Sequence, residues 1–357
     1  VAFGQYIGFM VAVSLWLSML LASASVANVF MDSLGQLAPA LQSPIARNLI
    51  IVFLYGVLTL INIRGVKIGS GMVQTVTAGK LVPILILLAF GVFAIRGSNL
   101  TWPGMPGVSG TARTTVILIF AFMGVESALT PSGEVRNPAR TVPRAIFLAL
   151  GITTLLYIAI QLVAQGILGA ELATSTKAPL AEAAKRVLGR GGELLVLVGA
   201  TISTLGYVTG DMLAAPRMPY ALARDGLLPG MLKKIHIRYR TPYVAIIAHG
   251  TICAFLAATT TFAALVVLVS LLTLLVYFIC CLATIQLQRR DVRAEGAQPF
   301  NLPGGPVIPI AALAIIVWLI SSSTRTEFIS LAAMLAISTA VFFIMRVRRA
   351  ATAPAVT

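Results

Sequence analysis

Lys80, Glu126 and Asp211 each interrupt a long apolar run. A charge at the centre of a bilayer costs about 2.5–3.5 kcal/mol on insertion scales, so such residues face a partner, a bundle interior or a wet path. Lys80 follows Ala78-Gly79, and Glu126 ends the stretch Ile119-Phe120-Ala121-Phe122-Met123-Gly124-Val125-Glu126. Two readings stand for this pair: direct function, or a structural ion pair with each other. For Asp211 the same two readings stand, with the structural one favoured: it lies near the inner end of its run, six residues before Arg217, within reach of the basic segment that begins there. Asp32 and Arg47 stand at run edges, where snorkelling makes a charge cheap.

The run holding Glu126 has a second oddity. Gly124 is followed by Pro131, Gly133, Pro138 and Pro143. Glycine frees the backbone and proline removes a donor. A helix that breaks at membrane depth exposes carbonyls and amides, which only protein or a water-filled cavity can receive. Such breaks build substrate and ion sites in secondary transporters; the bland alternative is a glycine kink with no ligand. Another run carries Thr201, Ser203, Thr204, Gly206, Tyr207, Thr209 and Gly210. Small polar residues of this kind glue helices together, or line a cation or proton path.

Other chemistries lack their residues. His236 and His249 are 13 apart and form no metal pair; Cys253, Cys280 and Cys281 show no CxxC spacing and read as free buried thiols. The stretch from Gly65 to Gly71 lacks the Lys-Ser/Thr of a phosphate loop, and neither HExxH nor GxSxG occurs. No cofactor is implied, and the chain does not read as an enzyme. Asn99-Leu-Thr101 matches a glycosylation sequon, a pattern short enough to arise by chance.

The elements that must position these residues follow from composition. Of 357 residues, 10% are charged and 58% hydrophobic, with mean hydropathy +0.96. An average soluble domain carries roughly 25% charge, so a soluble enzyme, a disordered chain and a disulfide scaffold are excluded. The net charge of +15 would suit nucleic acid only as a basic face on a soluble fold. Here the bases lie between apolar runs. Runs of about 20 apolar residues cross a bilayer as helix. Ten are predicted, at 3–29, 45–63, 72–95, 113–130, 143–168, 194–216, 243–260, 262–288, 307–324 and 327–347. Asn28 is taken to end the first. Thr259-Thr260-Thr261 makes a tight external turn, and 178–188 reads as a short helix on the outer surface.

With the chain entering from the cytoplasm, inner segments hold 17 of the 26 Lys and Arg and outer segments 8, with Lys80 inside a span. That asymmetry puts both ends in the cytoplasm. The basic loop 217–240 then sets topology. One transmembrane domain, 1–347, is followed by a cytoplasmic tail, 348–357, disordered from 350 onward. The chain opens Val-Ala-Phe without Met or a signal peptide, and Val1 is not expected to be the natural start.

The segment Phe120-Ala-Phe-Met-Gly124-Val-Glu126, then Gly133-Glu-Val-Arg-Asn-Pro138-Ala-Arg-Thr-Val-Pro143-Arg, resembles the sixth helix and following loop of the amino acid–polyamine–organocation superfamily. Pro216-Arg217-Met-Pro-Tyr220-Ala-Leu-Ala-Arg224-Asp225-Gly226-Leu-Leu-Pro229, with His236 and Thr241-Pro242, resembles the loop after its helix eight; Asn62-Ile-Arg-Gly65-Val-Lys67 resembles that between helices four and five. The resemblance covers essentially the whole chain. It departs at the front: members have twelve helices, and the Gly-rich break of their first helix has no counterpart here. The ten spans correspond to family helices three to twelve, and the sequence is expected to be a fragment lacking the first pair.

The resemblance implies an all-α polytopic fold, the leucine-transporter-like five-plus-five inverted repeat with its first repeat incomplete, plus two trailing helices. It implies secondary-active amino acid transport across the cytoplasmic membrane by alternating access, with an amino acid, protons and the lipid bilayer as partners and no nucleic acid. The substrate's amino group would meet carbonyls around Phe120, Ala121 and Phe122, with Phe122 closing over it and Gly124 opening the helix. Glu126 would hold the broken segment. Lys80 would replace the sodium of sodium-coupled relatives, beside Ser203 or Thr204. Competing readings are an amino acid or polyamine exchanger, a polytopic membrane enzyme, for which no headgroup-level polar cluster is found, and a channel, whose repeated polar rings are not found either.

Overall fold

Backbone taken out of water must satisfy its own N–H and C=O groups, so long apolar runs become helices. The computed structural model describes residues 2–65, 70–101, 104, 107–125, 138–175, 178–290 and 304–352. Glu126, the stretch from Gly133 to Arg136, Arg293 and the tail beyond Thr352 lie outside them. Eleven helices stand among the described residues: α1 (Gly4–Leu37), α2 (Pro44–Ile63), α3 (Ser70–Gly91), α4 (Val108–Phe122), α5 (Pro138–Leu168), α6 (Pro179–Ala214), α7 (Arg217–Arg224), α8 (Tyr243–Thr259), α9 (Phe262–Arg289), α10 (Val307–Ser321) and α11 (Arg325–Thr352). All but α7 match the ten predicted spans. Seven segments are long and apolar enough to cross a membrane; α4, α8 and α10 are shorter apolar helices.

At the centre lies α1, packed against α9, α6 and α8. Leu20, Leu21, Ala24 and Ala27 are buried there, with Ser23 and Ser25 fully enclosed. The groups α1, α2, α6 and α8 all touch one another. The periphery is apolar in the opposite sense. Ile45, Leu49 and Phe53 on α2, and Phe147, Leu148 and Leu155 on α5, are exposed, an arrangement suited to acyl chains rather than water.

Several boundaries differ from the sequence expectation. Asn28 does not end α1, which continues to Leu37. Its amide donates to the Ala24 carbonyl at 3.2 Å and to the Thr260 carbonyl at 3.1 Å, so a polar residue is satisfied in mid-helix. Arg47 joins this corner through a 2.9 Å ion pair to Asp32. The outer segment 178–188 is not a separate helix. It runs into the sixth span as α6, kinked at Gly189 with φ 67° and ψ −158°. The helix α5 begins at Pro138, five residues early, because proline suits a first turn. The last helix runs on to Thr352, so Ala350 and Ala351 are helical rather than disordered. Of the cysteines only Cys253 is buried; Cys280 is exposed and Cys281 half-buried. The turn at Thr259–Thr261 is as expected, with the Thr261 hydroxyl accepting from the Ala264 N–H at the start of α9.

Small residues set the α3–α6 contact. A Cβ on Gly199 would lie 2.6 Å from Pro83 Cγ and 2.9 Å from the Gly79 carbonyl oxygen, and one on Gly206 2.4 Å from Val76 Cγ1. The proline ring and the carbonyl cannot yield cheaply. Gly199→Ala is therefore expected to lower the stability of the folded protein by about 1–3 kcal/mol, read as a drop in thermal unfolding temperature in detergent. Gly210→Ala, where a Cβ meets nothing within 4 Å, should leave that temperature unchanged or raise it.

Candidate functional site

The fourth apolar run was expected to break near Gly124, and α4 ends at Phe122. Met123 leaves the helix with ψ 152°, its N–H bonding weakly to the Phe120 carbonyl at 3.3 Å. Gly124 has φ +96°, a conformation that a Cβ would strain. The last carbonyls of a helix have no partner within it and carry the negative end of its dipole. One of them is capped here: the Tyr157 hydroxyl of α5 donates to the Ala121 carbonyl at 2.9 Å. The same ring packs edge-on against Phe122, centroids 5.4 Å apart. Phe120 meets Phe262 at 6.0 Å, also edge-on. A half-exposed end thus presents oriented carbonyls between aromatic rings, a setting that attracts an ammonium group. Tyr157 was missed by sequence reading. It is one of several aromatics in apolar runs, and nothing in spacing points it at Ala121.

Lys80 is on α3, exposed, and has no ion-pair or hydrogen-bond partner among the described residues. Its neighbour Gly79 lies against Ile202, where a Cβ would be 3.1 Å from Cγ2. The register of α3 on α6 therefore sets Lys80 next to the level of Ser203, although the ammonium is not joined to it. Thr204 bonds back to the Ala200 carbonyl at 2.8 Å. The suggested pair of Lys80 with Glu126 falls outside the described residues.

Asp211 does not pair with the basic segment. Arg217 donates to the Leu213 carbonyl at 2.6 Å, while Asp211 Oδ2 lies 3.0 Å from His249 Nε2. The two side chains are 6% and 0% exposed. Trp16 Nε1 donates to His249 Nδ1 at 3.2 Å. Cys253 stands within reach of the same pair, and Tyr55 bonds to Ser23 nearby at 3.1 Å. A carboxylate inside a scaffold thus finds its partner on another helix rather than along its own. Sequence spacing could not show this, since Trp16, Asp211 and His249 lie on α1, α6 and α8. The available signal was that each is a lone polar group in an apolar run.

Donor atoms of Asp211, His249 and Cys253 lie within 4.8 Å of one another, which raises the question of a metal. Indole N–H only donates, so Trp16 keeps Nδ1 unprotonated and the neutral ring carries its proton on Nε2. The nitrogen facing Asp211 then has no lone pair to give. A metal-ligating histidine holds its proton on the far nitrogen and donates it outward; this one has the reverse arrangement, and the residues present do not fit a metal.

Comparison with known proteins agrees with the architecture. The family model described as amino acid permease matches residues 1–352. The methylthioribose transporter of Bacillus subtilis (strain 168) is 27% identical over 360 residues, covering 96% of this chain and 77% of that one. The branched-chain amino acid permease BcaP of the same organism is 27% identical over 286 residues, with 78% and 60% covered. Its serine/threonine exchanger SteT is 29% identical over 306 residues, with 82% and 68% covered. The chain thus spans between three fifths and about three quarters of these relatives' lengths. An all-helical polytopic bundle, matched by that family over nearly its whole length, belongs to the amino acid permease family and has its leucine-transporter-like fold.

Proposed function

We propose that this chain forms ten helices of the transport domain of a secondary-active permease that carries amino acids across the cytoplasmic membrane by alternating access. The observation that carries this reading is the end of α4: the helix stops at Phe122 before Gly124, its Ala121 carbonyl is capped from outside by the Tyr157 hydroxyl, and aromatic rings pack beside it. The amino group of a zwitterionic substrate would meet carbonyls around Phe120, Ala121 and Phe122, and Phe122 would cover it. The Ala121 carbonyl, held by Tyr157, is released as substrate arrives or keeps the site shaped. Glu126 would steady the segment that follows.

Lys80 is the proposed coupling residue. An ammonium supplies the positive charge that a sodium ion would, and a compact lysine head group on a flexible stem can engage or leave neighbouring hydroxyls. Protonated, it would tie α3 to α6 at Ser203 or Thr204; deprotonated, it would let them part, giving the two states that coupling requires. The 17 to 8 distribution of Lys and Arg supports cytoplasmic ends for the chain. The relative named as a serine/threonine exchanger favours exchange as a second mode of the same site.

Uptake of a panel of labelled amino acids into sealed vesicles tests the reading. Accumulation is expected for at least one amino acid under an inward pH gradient and without sodium. Counter-substrate loaded inside the vesicles separates exchange from symport. Lys80→Ala should abolish accumulation driven by the gradient while leaving substrate binding intact. Persistence of gradient-driven accumulation in Lys80→Ala, or collapse of wild-type uptake without sodium, removes the coupling assignment.

For the helix end, Gly124→Leu should cut uptake at least tenfold, about 1.4 kcal/mol, with normal membrane insertion. Unchanged uptake would show that α4 carries a kink and no site. Orientation has its own measurement. A cysteine at Ser175 should be labelled by an impermeant reagent outside intact cells, and one at Ala294 should not; the opposite pattern inverts the topology.

A further inference from the structure

The polar chain Trp16–His249–Asp211 has no part in the site above, yet its burial and bonding ask for a role. Trp16 Nε1 to His249 Nδ1 is 3.2 Å and His249 Nε2 to Asp211 Oδ2 is 3.0 Å, with His249 fully enclosed. We propose that His249 is a buried proton-binding site whose protonation at Nδ1 breaks the bond from Trp16 and loosens α1 from α6 and α8. The site itself rests on this geometry; its use in turnover rests on the transporter reading.

The chemistry is a balance of two charge states. Nδ1 accepts from an indole that can only donate, so the proposed resting state is a neutral ring whose Nε2–H donates to Asp211 as a carboxylate. The pair then holds one net negative charge inside the bundle, and no lysine or arginine among the described residues is paired with Asp211. Buried unpaired charge is strongly disfavoured. One proton from solvent, taken by the Nδ1 lone pair, makes an imidazolium–carboxylate pair of zero net charge. The same proton puts two N–H groups face to face, and the Trp16 indole must leave. Loss of the proton to solvent restores the bond. One state favours the electrostatics and the other the hydrogen bond, which is what a reversible latch needs.

The groups facing His249 are few. Cys253 lies one turn along α8. Asp211 comes from α6, with Tyr207 of α6 near Tyr55. From α2 comes Tyr55, hydrogen-bonded to Ser23 of α1. Apart from Ser23, α1 contributes Trp16; its own titratable residues, Tyr6 and Asp32, lie ten and sixteen positions away. Arg217 and Arg224 of α7, and Lys233 in the turn that touches α8, are exposed.

The test is tryptophan emission against pH in purified protein whose other tryptophans, Trp102 and Trp318, are phenylalanine, since an imidazolium quenches an adjacent indole. Trp16 emission should change reversibly with pH as a single titration. His249→Gln keeps both hydrogen bonds, with its oxygen toward Trp16 and its nitrogen toward Asp211, and cannot be protonated; the titration should vanish while the unfolding temperature holds. Asp211→Asn removes the carboxylate that would pair with the imidazolium, and the titration should move or disappear. A flat wild-type titration, one that survives in His249→Gln, or one unmoved in Asp211→Asn overturns the proposal. Amino acid uptake by the same preparations reports separately: a normal emission titration with no uptake of any substrate leaves the proton site standing and removes the transporter reading.

Discussion

Every backbone N–H and C=O placed in hydrocarbon must find its partner inside the protein. The rest of this structure follows from that requirement. It turns ten apolar runs into helices, and it makes any interruption of a helix conspicuous. Most interruptions here are covered at once. Asn28 bonds to its own helix and to the Thr260 carbonyl. Asn62 donates to the Met212 carbonyl and Thr241 to that of Ile63, so the C-terminal end of α2 is closed by α6 and by the loop before α8. The end of α4 is different. Among its contacts are the Tyr157 hydroxyl on the Ala121 carbonyl and the aromatic edge of Phe122.

The interior divides its polar groups between two tasks. At helix ends, charges tie neighbouring helices together. Arg113 of α4 grips Glu327 of α11 with both nitrogens, at 2.6 and 2.7 Å, and Arg47 holds Asp32. Bidentate pairs of this kind set direction as well as energy. Deeper in, Trp16, His249 and Asp211 link three helices through one imidazole. Isolated surface pairs contribute little to stability, whereas a buried, fully satisfied network specifies one arrangement of its helices.

Glycine has a separate use. Along α3 and α6 it lets two backbones approach until Pro83 and Val76 fill the space where side chains would stand. Without a hydrophobic drive between helices in lipid, such close packing is what holds them. It also sets the register that brings Lys80 to the level of Ser203.

The helical class, the ten apolar helices, the likeness to permeases and the helix end near Gly124 were legible in the sequence, because hydropathy, glycine and proline act locally. Boundaries were less so. Asn28 looked like a stop because its acceptors, Thr260 above all, are distant in the chain. The outer segment looked separate from the sixth span because Gly189 kinks the helix without ending it. The partner of Asp211 was misjudged for the same reason: Arg217 is near in sequence, but a buried carboxylate takes the donor that packing presents, and helix α8 presents His249. Likewise no pattern pointed Tyr157 at Ala121. Sequence alone determined which segments leave water and where the backbone is free to break. Which polar groups meet was decided by tertiary packing, since a hydrogen bond inside the bundle needs two helices at the right rotation and height, and neither is encoded within a single run.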